Sequence, residues 1–356
     1  MIVICRRSLG RLTVCPAVAR NRVQGDSFEA AVSRTGGLAG YIVPSVADRG
    51  TLATSEERPK DGSFPDAGQC ALPTLSVVIP IYNAGLALSV QLAALATQHY
   101  QADWETLIVD NGSTDGSAEL ARRFVARLPN LRVVRSTTGK GPAFARNVGA
   151  SMANGDVLIF VDQDDEVAPG YLNAMGQKLA SCEFVGARVD HKTLNPPLLI
   201  QARFPWQSDD LMRGGFLPAT SGCALGIRRV LFEDLGGFDE RFLYAQDIEL
   251  SWRAQLAGTQ LGFVPDAILH YRHRRDLFKH VQQEYLWGTD DALIYRTFRF
   301  AGMPRRTIRA SISEWRQILR EALKVKTSGD MLRVISKSAR RIGHLRGSIK
   351  HQVWFP

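Results

Sequence analysis

Cysteine is scarce in this 356-residue chain: Cys5, Cys15, Cys70, Cys182 and Cys223 are odd in number and widely scattered. They make neither a zinc-ligand spacing nor a disulfide framework, which fits a reducing, cytoplasmic setting. Long apolar runs are also missing. No stretch approaches the roughly 18 consecutive apolar residues of a spanning helix. The short apolar runs at the N-terminus are broken by Arg11 and Pro16, against a secretory signal. Neither a GxGxxG dinucleotide fingerprint nor a GxxxxGKS/T P-loop occurs. A net positive charge is absent from most of the chain. Of a formal net +9, residues 271–356 hold 19 Lys and Arg against 7 Asp and Glu, leaving about −3 on the first 270. A near-neutral body with a basic tail is not a general nucleic-acid binder, and no nucleic-acid partner is expected.

What is present is globular: 45% hydrophobic and 22% charged residues, enough for one large domain or two. Residues 1–73 read as an extension, with a short helix over Phe28–Val32, a short strand over Tyr41–Val43 and a Gly-, Pro- and Ser-rich linker before Leu75. Strand and helix then alternate. Leu75–Ile79, Trp104–Val109, Leu131–Val134 and Val157–Val161 read as strands, and Leu86–Thr97, the stretch after Ser113 and Thr114, and Ala143–Met152 read as helices. This predicts an α/β doubly wound, mostly parallel sheet with helices on both faces.

Each strand-to-helix turn delivers polar residues to one sheet edge: Tyr82, then Asp110, then a glycine loop with Arg146 behind it, then Asp162, Asp164 and Asp165. Ligands bind outside the carboxyl ends of such strands. Three carboxylates ending a buried strand repel one another unless a cation sits among them, which suits Mg²⁺ or Mn²⁺ with a phosphorylated ligand. A solvated acidic turn capping the next helix reads equally well from spacing alone. The Gly139-Lys140-Gly141 loop reads as a flexible turn or a phosphate contact.

Further on, Pro169–Leu179 reads as a helix with Pro169 in its first turn, and Phe184–Val189 as a strand. Residues 191–209 read as an irregular loop bordering a cleft, where Trp206 either stacks on a sugar or anchors the loop. A helix over Leu250–Leu256 has Asp247 at its N-terminal side, where the helix dipole favours an anion and a held hydroxyl could lose its proton to it. Pro265 and Asp266 are expected to precede a short strand, Ala267–Leu269, followed by His270, Arg272 and Arg274, candidates for a metal and a diphosphate.

In order, LSVVIPIYN, VDNGSTDGS, ARNVGASMANGDVLIFVDQDD, GGFDE, AQDIEL and HYRHR resemble the inverting family 2 glycosyltransferases, over about Leu75 to Arg275. The resemblance implies a GT-A fold, with a catalytic domain over 74–275. It implies nucleoside contacts at Pro80, Tyr82 and Asp110, and a helix residue, Arg146, on the donor. It implies a D-x-D motif at Asp162 and Asp164 with Asp165 adjacent, holding ribose and Mn²⁺ or Mg²⁺, and His270 on the metal. Asp247 corresponds to the base, while Gln246 stands where that family has Glu. The implied donor is a nucleoside-diphosphate sugar, UDP by default. The implied acceptor is a saccharide or lipid-linked hydroxyl in surface polysaccharide or glycolipid synthesis.

Residues 276–356 read as basic amphipathic helices that lie on an anionic membrane inner face, pack on the catalytic domain or make a homo-oligomer. The alternatives to a transferase are a non-catalytic nucleotide-sugar or polysaccharide binding protein and a nucleotidyltransferase. The latter would need a glycine-rich fingerprint that Pro80-Ile81-Tyr82-Asn83 does not supply.

Overall fold

A computed structural model describes residues 71–356, apart from 203–205 and 214. The short helix and strand expected within residues 1–70 lie outside the described residues. The sheet begins with β1 (Leu75–Ile81), β2 (Trp104–Asp110) and β3 (Arg132–Arg135), and β4 (Val157–Phe160) returns to the other side of β1. β5 (Glu166–Val167), β6 (Phe184–Asp190), β7 (Leu225–Arg228) and β8 (Leu261–His270) complete eight strands in the order β3-β2-β1-β4-β7-β6-β8-β5. The first four strands are parallel, as read from the sequence. Beyond them the sheet is mixed: β7 runs antiparallel to both β4 and β6, and β5 antiparallel to β8, while β6 and β8 are parallel.

Alternation builds the core. Leu75, Val77, Ile79 and Ile81 of β1 face one layer, against Leu88, Leu92 and Leu95 of α1 (Ala87–Leu95), and Val78 faces the other. The first layer also takes α4 (Tyr171–Ser181), and α2 (Ser117–Arg122) flanks β3. The second is covered by α3 (Pro142–Ser151), α6 (Arg229–Asp234) and α7 (Gln246–Leu256). Gly149 lets α3 lie directly on the sheet, since a Cβ there would stand 2.4 Å from Val78.

Three local expectations shift. Gly170, with φ of 81°, precedes α4, so Pro169 lies outside its first turn. Residues 191–209 include a helix, α5 (Pro197–Ala202). Pro265 and Asp266 lie inside β8, at the register shift opposite Ala187 and Arg188. There the exposed pair bulges out, so the missing proline N–H interrupts no ladder bond.

The C-terminal part is helical: α8 (Leu277–Phe298), α9 (Ile308–Ala322) and α10 (Ser328–Lys350). Asp276, Thr307 and Thr327 cap them through side-chain oxygens, Thr327 in a reciprocal capping box with Asp330. α8 shares a core with α7 through Trp252, Ile294 and Phe298. α8 and α10 meet backbone to backbone, at Gly288, Gly343 and Gly347. No described helix is long and apolar enough to cross a membrane.

Candidate active site

β1 and β4 are neighbours whose following segments leave in opposite directions along the sheet, which makes their carboxyl ends the topological switch point. A cleft of about 770 Å³ opens there. Of the eleven residues singled out from the sequence, Pro80, Tyr82, Arg146, Asp162, Asp164, Asp247 and Arg274 line it.

The turns after β1 and β2 and the glycine loop are tied together by side chains. Asp110 is buried and accepts the Ser113 N–H at 2.8 Å, shaping the turn after β2 rather than lining the cleft. Asn111, unnoticed in the sequence, donates to Ser136 and Gly139 carbonyls and accepts the Gly141 N–H, so it fixes the glycine loop. Gly141 has φ of 105°, which explains glycine at that position. Gln163, between the aspartates, accepts the Tyr82 N–H at 2.7 Å, locking the β1 turn to the acidic turn, while the Tyr82 side chain is exposed.

The acidic turn divides its tasks. Asp162 pairs with Arg146 Nη2 at 2.5 Å. Arg146 is itself buried, with Nε and Nη1 lacking a protein partner, and it packs behind Gly222, where a Cβ would come within 3.1 Å. Asp164 is half-buried, and burial with the neighbouring Asp162 charge pushes its carboxyl up to about 6. Burial, then the charges of Asp164 and Asp162, push Asp165 well above the usual carboxylate range. One oxygen of Asp165 accepts the Arg272 N–H at 2.9 Å, and its Oδ2 is buried with no partner. Arg272 Nε in turn donates to the Asp164 carbonyl. Asp162, Asp165 and Cys223 offer ligand atoms within 4.8 Å of one another. Burial raises the Cys223 thiol, so it remains a protonated neighbour, and the carboxylates are the members of this group suited to a hard ion; Asp164 lies outside the group. Raised carboxylates crowded around an unpartnered oxygen are the charge pattern that Mn²⁺ or Mg²⁺ relieves, so these residues fit such an ion.

His270 stands apart from this group. Its Nδ1 lies 2.8 Å from Asp190 Oδ2, it pairs with Glu166 across the β5–β8 ladder, and it is not among the residues lining the cleft.

Asp247 sits in the first turn of α7, half-buried. Its Oδ2 accepts the Gly222 N–H at 2.8 Å and its Oδ1 the Ile248 N–H at 2.8 Å. Burial raises its pKa against the opposing pull of Gly222 and Arg146, which favours its taking up a proton. Beside it Gln246 is buried, with its Oε1 lacking a partner, and it too lines the cleft. Trp206 lines the cleft while packing edge-on against His191 and Tyr271, at 4.9 and 5.1 Å, so it serves as a loop anchor and a cleft wall at once.

Helix α8 falls within the stretch expected to be helical, but its place at the cleft was not foreseen from the sequence. Gln283 and Trp287 close one side of the cleft, and buried Asp290 accepts the N–H groups of Leu243 and Tyr244, at 3.0 and 2.8 Å, just ahead of Asp247. The one available signal was a tryptophan and an aspartate on the helix after the last motif.

A sequence model described as glycosyl transferase family 2 matches residues 76–236. Glycosyltransferase AglE of Haloferax volcanii is 29% identical over 202 residues, covering 55% of this chain and 66% of that protein. The probable glycosyltransferase YdaM of Bacillus subtilis is 30% identical over 213 residues, 55% of this chain and 50% of that protein. The chain thus spans half to just under two thirds of the length of these relatives. Among solved structures, the mannosyltransferase PcManGT from Pyrobaculum calidifontis, in complex with GDP-Man and Mn²⁺, matches with a TM-score of 0.54. It does so at 18% identity, over 77% of this chain and 87% of that one, a likeness of fold. The matched stretch, residues 76–236, carries β1 to β7 and every turn at the switch point, so the chain contains a glycosyl transferase family 2 region within a GT-A-like fold.

Proposed function

We propose that the protein is a metal-dependent inverting glycosyltransferase that moves a sugar from a nucleoside-diphosphate sugar to a hydroxyl acceptor. The observation that carries this reading is the convergence of Asp247, Arg146, Asp162 and Asp164 on one cleft at the switch point. In this reading the turn at Pro80 and Tyr82, shaped from behind by Asp110, takes the nucleoside. Asp162, Asp164 and Asp165 hold the ion. Bound there, Mn²⁺ or Mg²⁺ neutralises charge on the leaving diphosphate. Arg274 faces the same cleft, and Arg272 braces the acidic turn.

Asp247 takes the proton of the acceptor hydroxyl. The acceptor oxygen forms its bond to the anomeric carbon as the bond from that carbon to the diphosphate oxygen breaks, and the nucleoside diphosphate leaves with that electron pair. Attack opposite the leaving group inverts the centre without a covalent sugar–protein intermediate. The unpartnered Gln246 Oε1 is placed to accept a second acceptor hydroxyl, a role in which an amide replaces a carboxylate without adding charge beside Asp247. Trp287 and Gln283 form the acceptor wall.

UDP-sugars are the first donors to try, with a surface saccharide or lipid-linked acceptor on the cytoplasmic side. The test is nucleoside diphosphate release from a donor panel with and without Mn²⁺. Release should require the ion and be lost in Asp164→Asn. Equal release by that variant would remove the metal from the reading, and tight donor binding without turnover would favour a binding protein.

A further inference from the structure

Helix α9 buries little of itself: Ser311 and Ile318 are its buried residues. Ile308, Ile312, Trp315, Leu319 and Leu323, spaced four, three, four and four apart, form an outward stripe. α10 carries a second stripe at Met331, Ile335, Ile342, Leu345 and Ile349, and all ten side chains are 37–81% exposed.

The two helices meet along an ion-paired seam, Glu314 with Arg341 and Glu321 with Lys337, each at 2.6 Å. Glu314 precedes Glu321 while Arg341 follows Lys337, so the helices run antiparallel. At about 100° per residue, each stripe is about 80° wide and lies roughly 100–140° around its helix from that seam, in the same rotational sense on both. Antiparallel neighbours related in this way point their stripes to the same side. The hairpin therefore presents one continuous apolar face, while Leu332, Ala339 and Gly343 of α10 are buried away from it.

Charge decides what covers this face. Residues 303–356 carry 13 Lys and Arg against 3 Asp and Glu. Arg309, Arg316, Arg320, Arg346 and Lys350 each follow a stripe residue by one position, so cations flank the apolar band. A second copy docked face to face would set these cations against one another. A negatively charged lipid surface satisfies both features, taking the apolar band below its headgroups and the cations among them.

We propose that the α9–α10 hairpin is a peripheral docking surface for an anionic bilayer. It is independent of the transferase reading, because its test needs no donor or turnover. The full chain is sedimented with vesicles of phosphatidylglycerol and phosphatidylcholine, and with pure phosphatidylcholine. Binding is expected to the anionic vesicles, weakening steeply as salt rises. The double variant Ile312→Glu, Leu319→Glu should bind at least about tenfold more weakly, with an unchanged thermal melt because both positions are exposed. A well-folded chain that ignores anionic vesicles, or a double variant that binds them as tightly, would overturn the proposal. So would a dimer that this variant dissociates in the absence of vesicle binding, since the face would then belong to a second copy.

Discussion

The α8–α10 seam gives a sharp test of how the helical extension supports the cleft. A Cβ at Gly343 would stand 2.1 Å from the Tyr285 carbonyl oxygen, and one at Gly288 would stand 2.1 Å from the Arg340 carbonyl oxygen. Real Cβ atoms essentially never approach closer than 3.0 Å, so Gly343→Ala must open the seam by about 0.9 Å. The obstacle is backbone in the middle of a helix, which cannot rotate away. Alanine's better helix propensity stabilises by about 1 kcal/mol, whereas overpacking costs roughly 1–3 kcal/mol and tends to the upper end against backbone. A net loss of about 1–2 kcal/mol is expected, lowering the melting temperature by roughly 1–2 °C per kcal/mol in a chain of 356 residues. Because α8 brings Trp287 to the cleft, the apparent KM for acceptor should rise as well. Calorimetry and steady-state kinetics read the two effects. Gly329→Ala is the control: its Cβ would meet the end of the Gln201 side chain at 3.0 Å, near the start of α10, where a rotamer change suffices. A Gly343→Ala protein as stable as wild type, or more so, would refute the reasoning.

Asp290→Ala removes the acceptor for two N–H groups, at about 1–3 kcal/mol each. A loss of roughly 2–5 kcal/mol in urea denaturation is expected, with Asp290→Asn losing distinctly less because an amide oxygen remains. Asp164, pushed up to about 6, ties ion binding to pH. Its folded pKa lies above the unfolded value of about 3.9, so the metal-free protein should lose stability as pH rises from about 4 through about 6. Mn²⁺ binding requires the carboxylate, so by titration calorimetry affinity should strengthen as pH rises across the same window, with proton release. A flat profile would contradict that role.

The parallel half of the fold was legible because period-2 apolar runs and turn residues leave few topologies open. The acidic turn was legible because three carboxylates at a strand end demand an explanation. β7 was less so, since Leu225–Arg228 is short and its antiparallel place between β4 and β6 depends on partners distant in sequence. Pro265 misled because bulges tolerate proline where a regular strand does not. Asn111, Gln163 and Asp290 act through hydrogen bonds across 25–81 residues of sequence, and no local pattern encodes those. Trp287 lies beyond the last recognisable motif, where periodicity marks a helix without saying what this side chain meets.

The most direct test of Asp247 as base is a paired measurement on Asp247→Asn: donor affinity in the presence of Mn²⁺, and sugar transfer to the acceptor found in the donor screen. Asn keeps the size and one acceptor oxygen but cannot take the proton. The account predicts donor binding close to that of wild type and transfer reduced by about 10²–10⁴-fold, the range for loss of a general base, with wild-type product of inverted anomeric configuration by NMR. Transfer by Asp247→Asn at the wild-type rate, or retention of configuration, would contradict it.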